Sequence, residues 1–208
     1  MKFTIIAIII LFVMQSVYSQ DISLPEPKTS GGMPLLDALS RRHSEREFSD
    51  KKLSHQQLSD LLWAGWGINR KDSGKRTAPS SRNFQEIDVY VCLPEGSYIY
   101  DAKSNILKFI SSEDSRKLTG TQDFVSVAYL NLVYVADYNR IPQEIKDYQY
   151  KASYANAGFI VENIYLWCAS EGLSSVVRAS FNEQELSHSL KLSKGQKIIL
   201  AQTIGYSK

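Results

Sequence analysis

The stretch Glu144-Ile145-Lys146-Asp147-Tyr148-Gln149-Tyr150-Lys151-Ala152-Ser153-Tyr154-Ala155-Asn156-Ala157-Gly158-Phe159-Ile160-Val161-Glu162-Asn163-Ile164-Tyr165-Leu166-Trp167-Cys168-Ala169-Ser170-Glu171 is the longest helical candidate in the chain. Ala155, Gly158, Phe159, Val161, Ile164, Leu166, Trp167 and Cys168 cover more than one face of it, which predicts a helix buried on several sides. Gly172, which tolerates the left-handed backbone of a helix end, stops it.

Downstream, Ser174 to Arg178 reads as a short strand, and Asn182 caps a final helix with Leu186 and Leu190 inward and Glu183 and Glu185 in its first turn. Ile198 to Ile204 closes the chain as a strand before Gly205. Upstream, Ala128 to Val135 is an apolar, β-branched and aromatic strand. Ser112 to Leu118 reads as a short helix. Tyr98-Ile99-Tyr100 and Ile106-Leu107-Lys108-Phe109 flank a turn and predict a hairpin. Ile87, Val89, Val91 and Leu93 alternate as in a half-buried strand. Residues 69–83 are polar and basic and read as the one long loop. Ser54 caps a helix that buries Leu58, Leu61, Leu62 and Ala64 and frays near Gly65 and Gly67. Pro34 starts another that runs to about Arg42. Helices, then strands, the long helix, and strand-helix-strand give an α+β fold with a central, mainly antiparallel sheet.

Composition narrows the class. The chain has 208 residues, is 43% hydrophobic and 22% charged, and carries a net charge of +2. These are globular proportions, and the charge is too small to imply a nucleic-acid partner. Residues 1–19 read as a secretory signal peptide: Lys2, an apolar run from Phe3 to Val13, and small residues at Val17 and Ser19 before a cleavage site. The run is shorter than the roughly 18 to 20 residues that span a bilayer, so no stable membrane anchor is expected. No cysteine follows the leader, so a lipid anchor is not indicated. Residues 20–33, with two prolines and two glycines, form an extended lead-in, which leaves 34–208 as one domain. In an exported protein Cys92 and Cys168 could pair, but one lies in a strand pattern and the other in an apolar helix, which favours two buried thiols.

Most chemical motifs fail on context. Gly65-Trp66-Gly67-Ile68-Asn69-Arg70 has arginine at the third glycine of a dinucleotide fingerprint and follows a helix. Gly74-Lys75-Arg76-Thr77 lacks P-loop spacing, and there is no Gly-x-Ser-x-Gly elbow. His43, His55 and His188 are isolated, which argues against a metal site. Two stretches remain. Ser40-Arg41-Arg42-His43-Ser44-Glu45-Arg46-Glu47-Phe48 crowds three guanidinium groups, an imidazole and a hydroxyl, a set that suits a phosphate-bearing ligand or a solvated helix end. Thr77-Ala78-Pro79-Ser80-Ser81-Arg82-Asn83-Phe84-Gln85 offers hydroxyls and an amide just before a strand. That set suits the edge of a heterocycle, or an ordinary strand entry.

Taken together, these residues resemble the FMN-dependent nitroreductase family, and within it the branch of the SagB-type azoline dehydrogenases. The resemblance runs from about Leu35 to the C-terminus. It rests on Arg42 to Phe48, Leu61 to Asn69, Arg76 to Asn83, the helix from Gly158 to Cys168 with Gly172-Leu173, and Ile204-Gly205-Tyr206. It implies a nitroreductase-like fold, a homodimer, and FMN as cofactor. Arg42, His43 and Ser44 would hold the phosphate and ribityl chain, and Arg46 the N1/C2 carbonyl edge of the ring. A fixed cation there favours the negative charge of reduced flavin. Ser80, Ser81 and Asn83 match a loop that reaches the ring, often from the other subunit. Val177, Arg178 and Ala179 match the segment along it.

Departures accompany the match. Family members often carry a basic residue beyond the last strand, and here the residue in that region is Lys208. Arg178 is unusual beside a flavin and could meet an acidic substrate. No catalytic residue can be assigned. The expected activity is an exported FMN oxidoreductase that works by ping-pong transfer through flavin N5 to a small aromatic, nitro or quinone-like acceptor. The alternatives are a flavin- or ligand-binding module without turnover and a SagB-like peptide azoline dehydrogenase. NADH and NADPH, the usual donors, are cytoplasmic, so export implies another donor, or operation as a dehydrogenase or oxidase.

Overall fold

Nine strands and five α-helices follow one another in the computed structural model, which describes residues 20–208 apart from the side chains of Lys146 and Asp147. The signal-peptide reading of residues 1–19 lies outside the described residues. In chain order the elements are β1 (Ile22–Ser23), α1 (Leu35–Arg41), α2 (His55–Trp66), β2 (Ile68–Arg70), β3 (Lys75–Arg76), β4 (Ile87–Leu93), β5 (Gly96–Asp101) and β6 (Ile106–Ser111). Then come α3 (Phe124–Val127), β7 (Leu130–Asp137), α4 (Lys146–Glu171), β8 (Ser174–Arg178), α5 (Glu183–Ser189) and β9 (Gln196–Gly205).

Seven strands form one sheet in the order β1-β6-β5-β4-β7-β9-β8. Every pairing in it is antiparallel. The sheet is buried on both sides. Val89, Val91 and Leu93 of β4 face α2 and α4 in the main core, with Leu58, Leu61 and Leu62 of α2 and Ile160, Val161 and Ile164 of α4. Tyr90 and Cys92, the alternate residues of β4, face the other side with Leu186 of α5 and Leu190 just after it. This is the period-two alternation of a strand, filled on both faces. A one-residue bulge in β9 lies opposite Tyr134 and Val135. The extra residue, Ile199, shifts the alternation, so that Ile199 and Leu200 both face the main core while Ile198 and Ala201 face the other side.

The helix ends are chemically explicit. Ser54 accepts from the Gln57 N–H while the Gln57 side chain returns to the Ser54 N–H, a capping box. Gly172 ends α4 at φ 67°, where a Cβ would be strained. Asn182 accepts from the N–H groups of Gln184 and Glu185.

Several readings from sequence need correction. The buried residues of α4 are Gln149, Ala152, Ser153, Asn156, Ala157, Ile160, Val161, Ile164, Tyr165 and Cys168, which lie on one broad face. Ala155 is exposed, Phe159 is 47% exposed, and Gly158, Leu166 and Trp167 are only half-buried. The helix is therefore not enclosed on several sides within one chain. It carries a second apolar stripe that nothing among the described residues covers. Residues 69–83 are not one open loop either: β2 and β3 pair as a small hairpin, and Ser81–Asn83 form a 3-10 turn. In place of the short helix at Ser112–Leu118 there is only a 3-10 turn at Arg116–Leu118. The lead-in contributes an edge strand, β1, to the sheet. Both cysteines are buried and free. No helix among the described residues is long and apolar enough to cross a membrane.

Candidate functional site

After α1 ends at Arg41, residues 42–48 run extended beside β8, the outer strand of the sheet. This run is tied down at its middle and at its far end. The Glu45 N–H donates to the Ser175 carbonyl at 3.0 Å, and Phe48 bridges Ser207 beyond the end of β9. Phe48 is buried against Phe124, with ring centroids 5.5 Å apart. Its ring also lies so close to Gly205 that a Cβ there would stand 3.3 Å from it. Between these two points the Arg46 and Glu47 side chains are exposed.

Tyr165 of α4 joins three parts of this region. Its hydroxyl lies 3.0 Å from Ser44 Oγ and accepts from the Val177 N–H at 2.8 Å, and its ring lies 5.4 Å beneath the Arg42 guanidinium. Arg42, His43, Tyr165, Ser174 and Ser175 line a cleft of about 360 Å³. Arg46 lines a wider cleft of about 620 Å³ with Gln122, Phe124 and Lys208, so Lys208 stands on the same rim as Arg46.

Among the described residues, the guanidinium groups of Arg42 and Arg46 have no hydrogen-bond or ion-pair partner; Arg42 meets only the Tyr165 ring. The nearby carboxylate does not neutralise them. Glu45 instead accepts the N–H groups of Arg46 and Glu47 at 2.6 and 3.0 Å, which holds its carboxyl below the usual carboxylate range. His43 Nδ1 lies 2.8 Å from the Arg41 carbonyl. Unpaired guanidinium donors, with a hydroxyl nearby on an anchored backbone, are a set chemically suited to an anion.

Arg178 is different. Its guanidinium turns inward and donates to Thr119 O (3.1 Å), Thr119 Oγ1 (2.8 Å), Asn131 Oδ1 (2.7 Å) and Thr203 Oγ1. Phe124 lies 5.6 Å from it. Burial pulls its pKa down to about 10, which leaves it charged at neutral pH. With the guanidinium occupied by protein groups, the notion that it meets an acidic substrate is corrected: β8 offers the site its backbone around Val177 and the exposed Ala179.

Ser80, Ser81 and Asn83 do not line either cleft that holds Arg42 or Arg46. They lie at the N-terminal half of α4, where the Ser81 N–H donates to Asn156 Oδ1 at 3.1 Å and Ser81 Oγ lies 3.2 Å from the Tyr148 hydroxyl. Tyr165 is nine residues further on, roughly 13 Å along the helix axis. Arg76 fixes the base of this loop: it donates to the Trp66 carbonyl and to Gln85 Oε1, each at 2.8 Å.

The sequence reading missed Tyr165, Asn156 and Glu86. Tyr165 was masked by its setting in an apolar helix, where an aromatic reads as core. Asn156 could have been found, because a carboxamide one turn from Ala152 on the buried face needs polar partners. Among the described residues, no group of three His, Cys, Asp or Glu could hold a metal ion.

The sequence pattern of the nitroreductase family matches residues 39–206. The chain belongs to that family, and with it to a group of oxidoreductases. It is 27% identical to a protein of Methanocaldococcus jannaschii that carries the nitroreductase name, over 84% of this chain and 91% of that one. A nitroreductase crystal structure from Ralstonia eutropha superposes with a TM-score of 0.87 at 44% identity, covering 91% of this chain and 90% of that one. A chain of the Escherichia coli microcin synthetase McbBCD complex shares the fold, with a TM-score of 0.73 at 19% identity over 99% of this chain and 85% of that one.

Proposed function

We propose that this nitroreductase-family protein is an FMN-dependent oxidoreductase. The observation that carries the proposal is the pair Arg42 and Arg46, unpaired cations held out from an anchored backbone beside β8. The residues fit the cofactor. Arg42, His43 and Ser44 would bind the phosphate and ribityl chain, with Tyr165 orienting Ser44. Arg46, with Lys208 on the same rim, would face the N1/C2 carbonyl edge of the ring and favour negative charge there. The backbone of Val177 to Ala179 would lie along the ring. When bound, FMN supplies hydride or electron transfer at its N5.

Ser80, Ser81 and Asn83 stand away from the arginine clefts in one chain, which supports a homodimer in which this loop completes the partner subunit's site. The uncovered stripe of α4 and the exposed Leu35, Leu36 and Leu39 of α1 offer an apolar surface for the contact. The turnover would be ping-pong on a small aromatic, nitro or quinone-like acceptor. The leader pattern supports export with cleavage after Ser19, and then a donor other than cytoplasmic NADH or NADPH. N-terminal sequencing of secreted protein, expected to begin at Gln20, checks the export and the cleavage.

Purified protein refolded with excess FMN should be yellow and show a flavin absorbance band. Colourless protein defeats the proposal. Anaerobic titration with NADH and NADPH then tests the donor.

A further inference from the structure

Arg82 (φ 51°), Asn83 (φ 56°) and Gln85 (φ 50°) all lie in the left-handed region. None is glycine, and backbone of this kind persists only where its surroundings over-determine it. Several restraints come from the loop itself. The Gln85 N–H donates to Ser80 Oγ, and Gln85 Nε2 donates to Asn83 Oδ1 and to the Gly74 carbonyl, each at 3.1 Å.

One restraint comes from the long helix. Asn156, 3% exposed, accepts the Ser81 N–H, and its Nδ2 donates to Glu86 Oε1 at 2.8 Å. The same oxygen accepts from Ser153 Oγ at 3.1 Å, and both Glu86 and Ser153 are fully buried. Glu86 Oε2 has no partner among the described residues.

A carboxamide can turn over and exchange its oxygen and nitrogen. Here a turn would set the Asn156 oxygen against Glu86 Oε1 and its NH₂ against the Ser81 N–H. Glu86 therefore fixes which end of Asn156 faces the loop. An apolar residue at 86 would fill the core without leaving a bare buried oxygen.

We propose that Asn156 and Glu86 are positioning residues for Ser80–Asn83, holding the loop in the shape in which it meets the ring of a bound flavin. This rests on the FMN reading above. Substitutions on the two sides of the bond test it by titrating the full chain with FMN and with riboflavin, which lacks the phosphate. Ser81→Pro deletes the donating N–H, whereas Ser81→Ala keeps it. Ser80, at ψ 149°, already has the backbone that a residue before proline adopts. Ser81→Ala, which loses the hydroxyl but keeps the N–H, is the reference for the proline variant: Ser81→Pro should bind both ligands about tenfold more weakly than Ser81→Ala does, and Asn156→Ala should weaken both by the same factor relative to wild type, about tenfold. Arg42→Ala, in contrast, should lose affinity for FMN alone.

Equal riboflavin affinity in Ser81→Pro and Ser81→Ala overturns the proposal, as does a loss confined to FMN. If Asn156→Ala does not fold, the Ser81 pair, which leaves the core intact, decides. Wild-type protein that binds neither flavin overturns the FMN reading itself, a result distinct from any difference among variants.

Discussion

Arg42 and Arg178 lie on either side of the same edge strand, and their surroundings are opposite. Arg178 is buried and donates to four neutral acceptors of the protein; Arg42 donates to none among the described residues and lies over an aromatic ring beside a cleft. A guanidinium whose donors are already used ties segments together, here β8, β7, β9 and the turn before α3. One whose donors are unused is set to take an anion. Residue type alone does not separate these roles, and hydrogen-bond occupancy does.

Substitution can break this contrast. Arg178→Ala leaves Thr119, Asn131 and Thr203 short of buried donors and opens a cavity. It should lower stability by about 3 kcal/mol in urea denaturation. Arg178→Lys should recover little of that, because an ammonium cannot span the four acceptors in their planar arrangement. Unchanged stability in Arg178→Ala would remove the structural half of the comparison.

Arg42→Ala and Arg46→Ala should leave the stability of the flavin-free protein within about 0.5 kcal/mol. Each should weaken FMN by about 2 kcal/mol, the scale of a charge-assisted hydrogen bond, or roughly 30-fold in a fluorescence titration. A double variant with undiminished affinity would remove the cluster from the site. Tyr165→Phe sharpens the link between the two regions. It removes the hydroxyl shared by Ser44 and the Val177 N–H, and should weaken FMN by about 1 kcal/mol.

The smallest effect concerns the thiols. Burial pushes the Cys92 thiol up to about 12, and Cys168 higher still for the same reason. The raised values keep the reactive thiolate scarce below that range, so folded protein at pH 8 should resist alkylation that urea-unfolded protein undergoes. Rapid labelling of folded protein, followed by mass spectrometry, would show that the interior opens.

Much of the fold was legible because local rules carry it. The alternation of Ile87 to Leu93, the hairpin around residues 101–105, Ser54 and Asn182 as caps, and Gly172 as a stop each depend on near neighbours in the chain. The arginine cluster was equally legible, since Arg42, Ser44, Arg46 and Phe48 sit within seven residues. The α4 reading failed in a particular way. Its apolar residues do lie on several faces, but the described residues cover only one broad face, and the stripe through Ala155 and Phe159 stays open among them. Periodicity counts apolar positions without saying which molecule covers them.

What the sequence by itself determined was therefore the order of the main helices and sheet strands, the antiparallel α+β plan, and the short run of cations that could meet a phosphate. Tertiary structure alone decided that Arg178 turns inward while Arg42 stays unpaired, that Tyr165 joins Ser44 to Val177, and that Glu86 sets Asn156 behind the Ser80–Asn83 loop. The reason is separation along the chain. These contacts join residues 12 to 121 positions apart, and the chemistry of a side chain does not indicate which distant partner will use its hydrogen bonds.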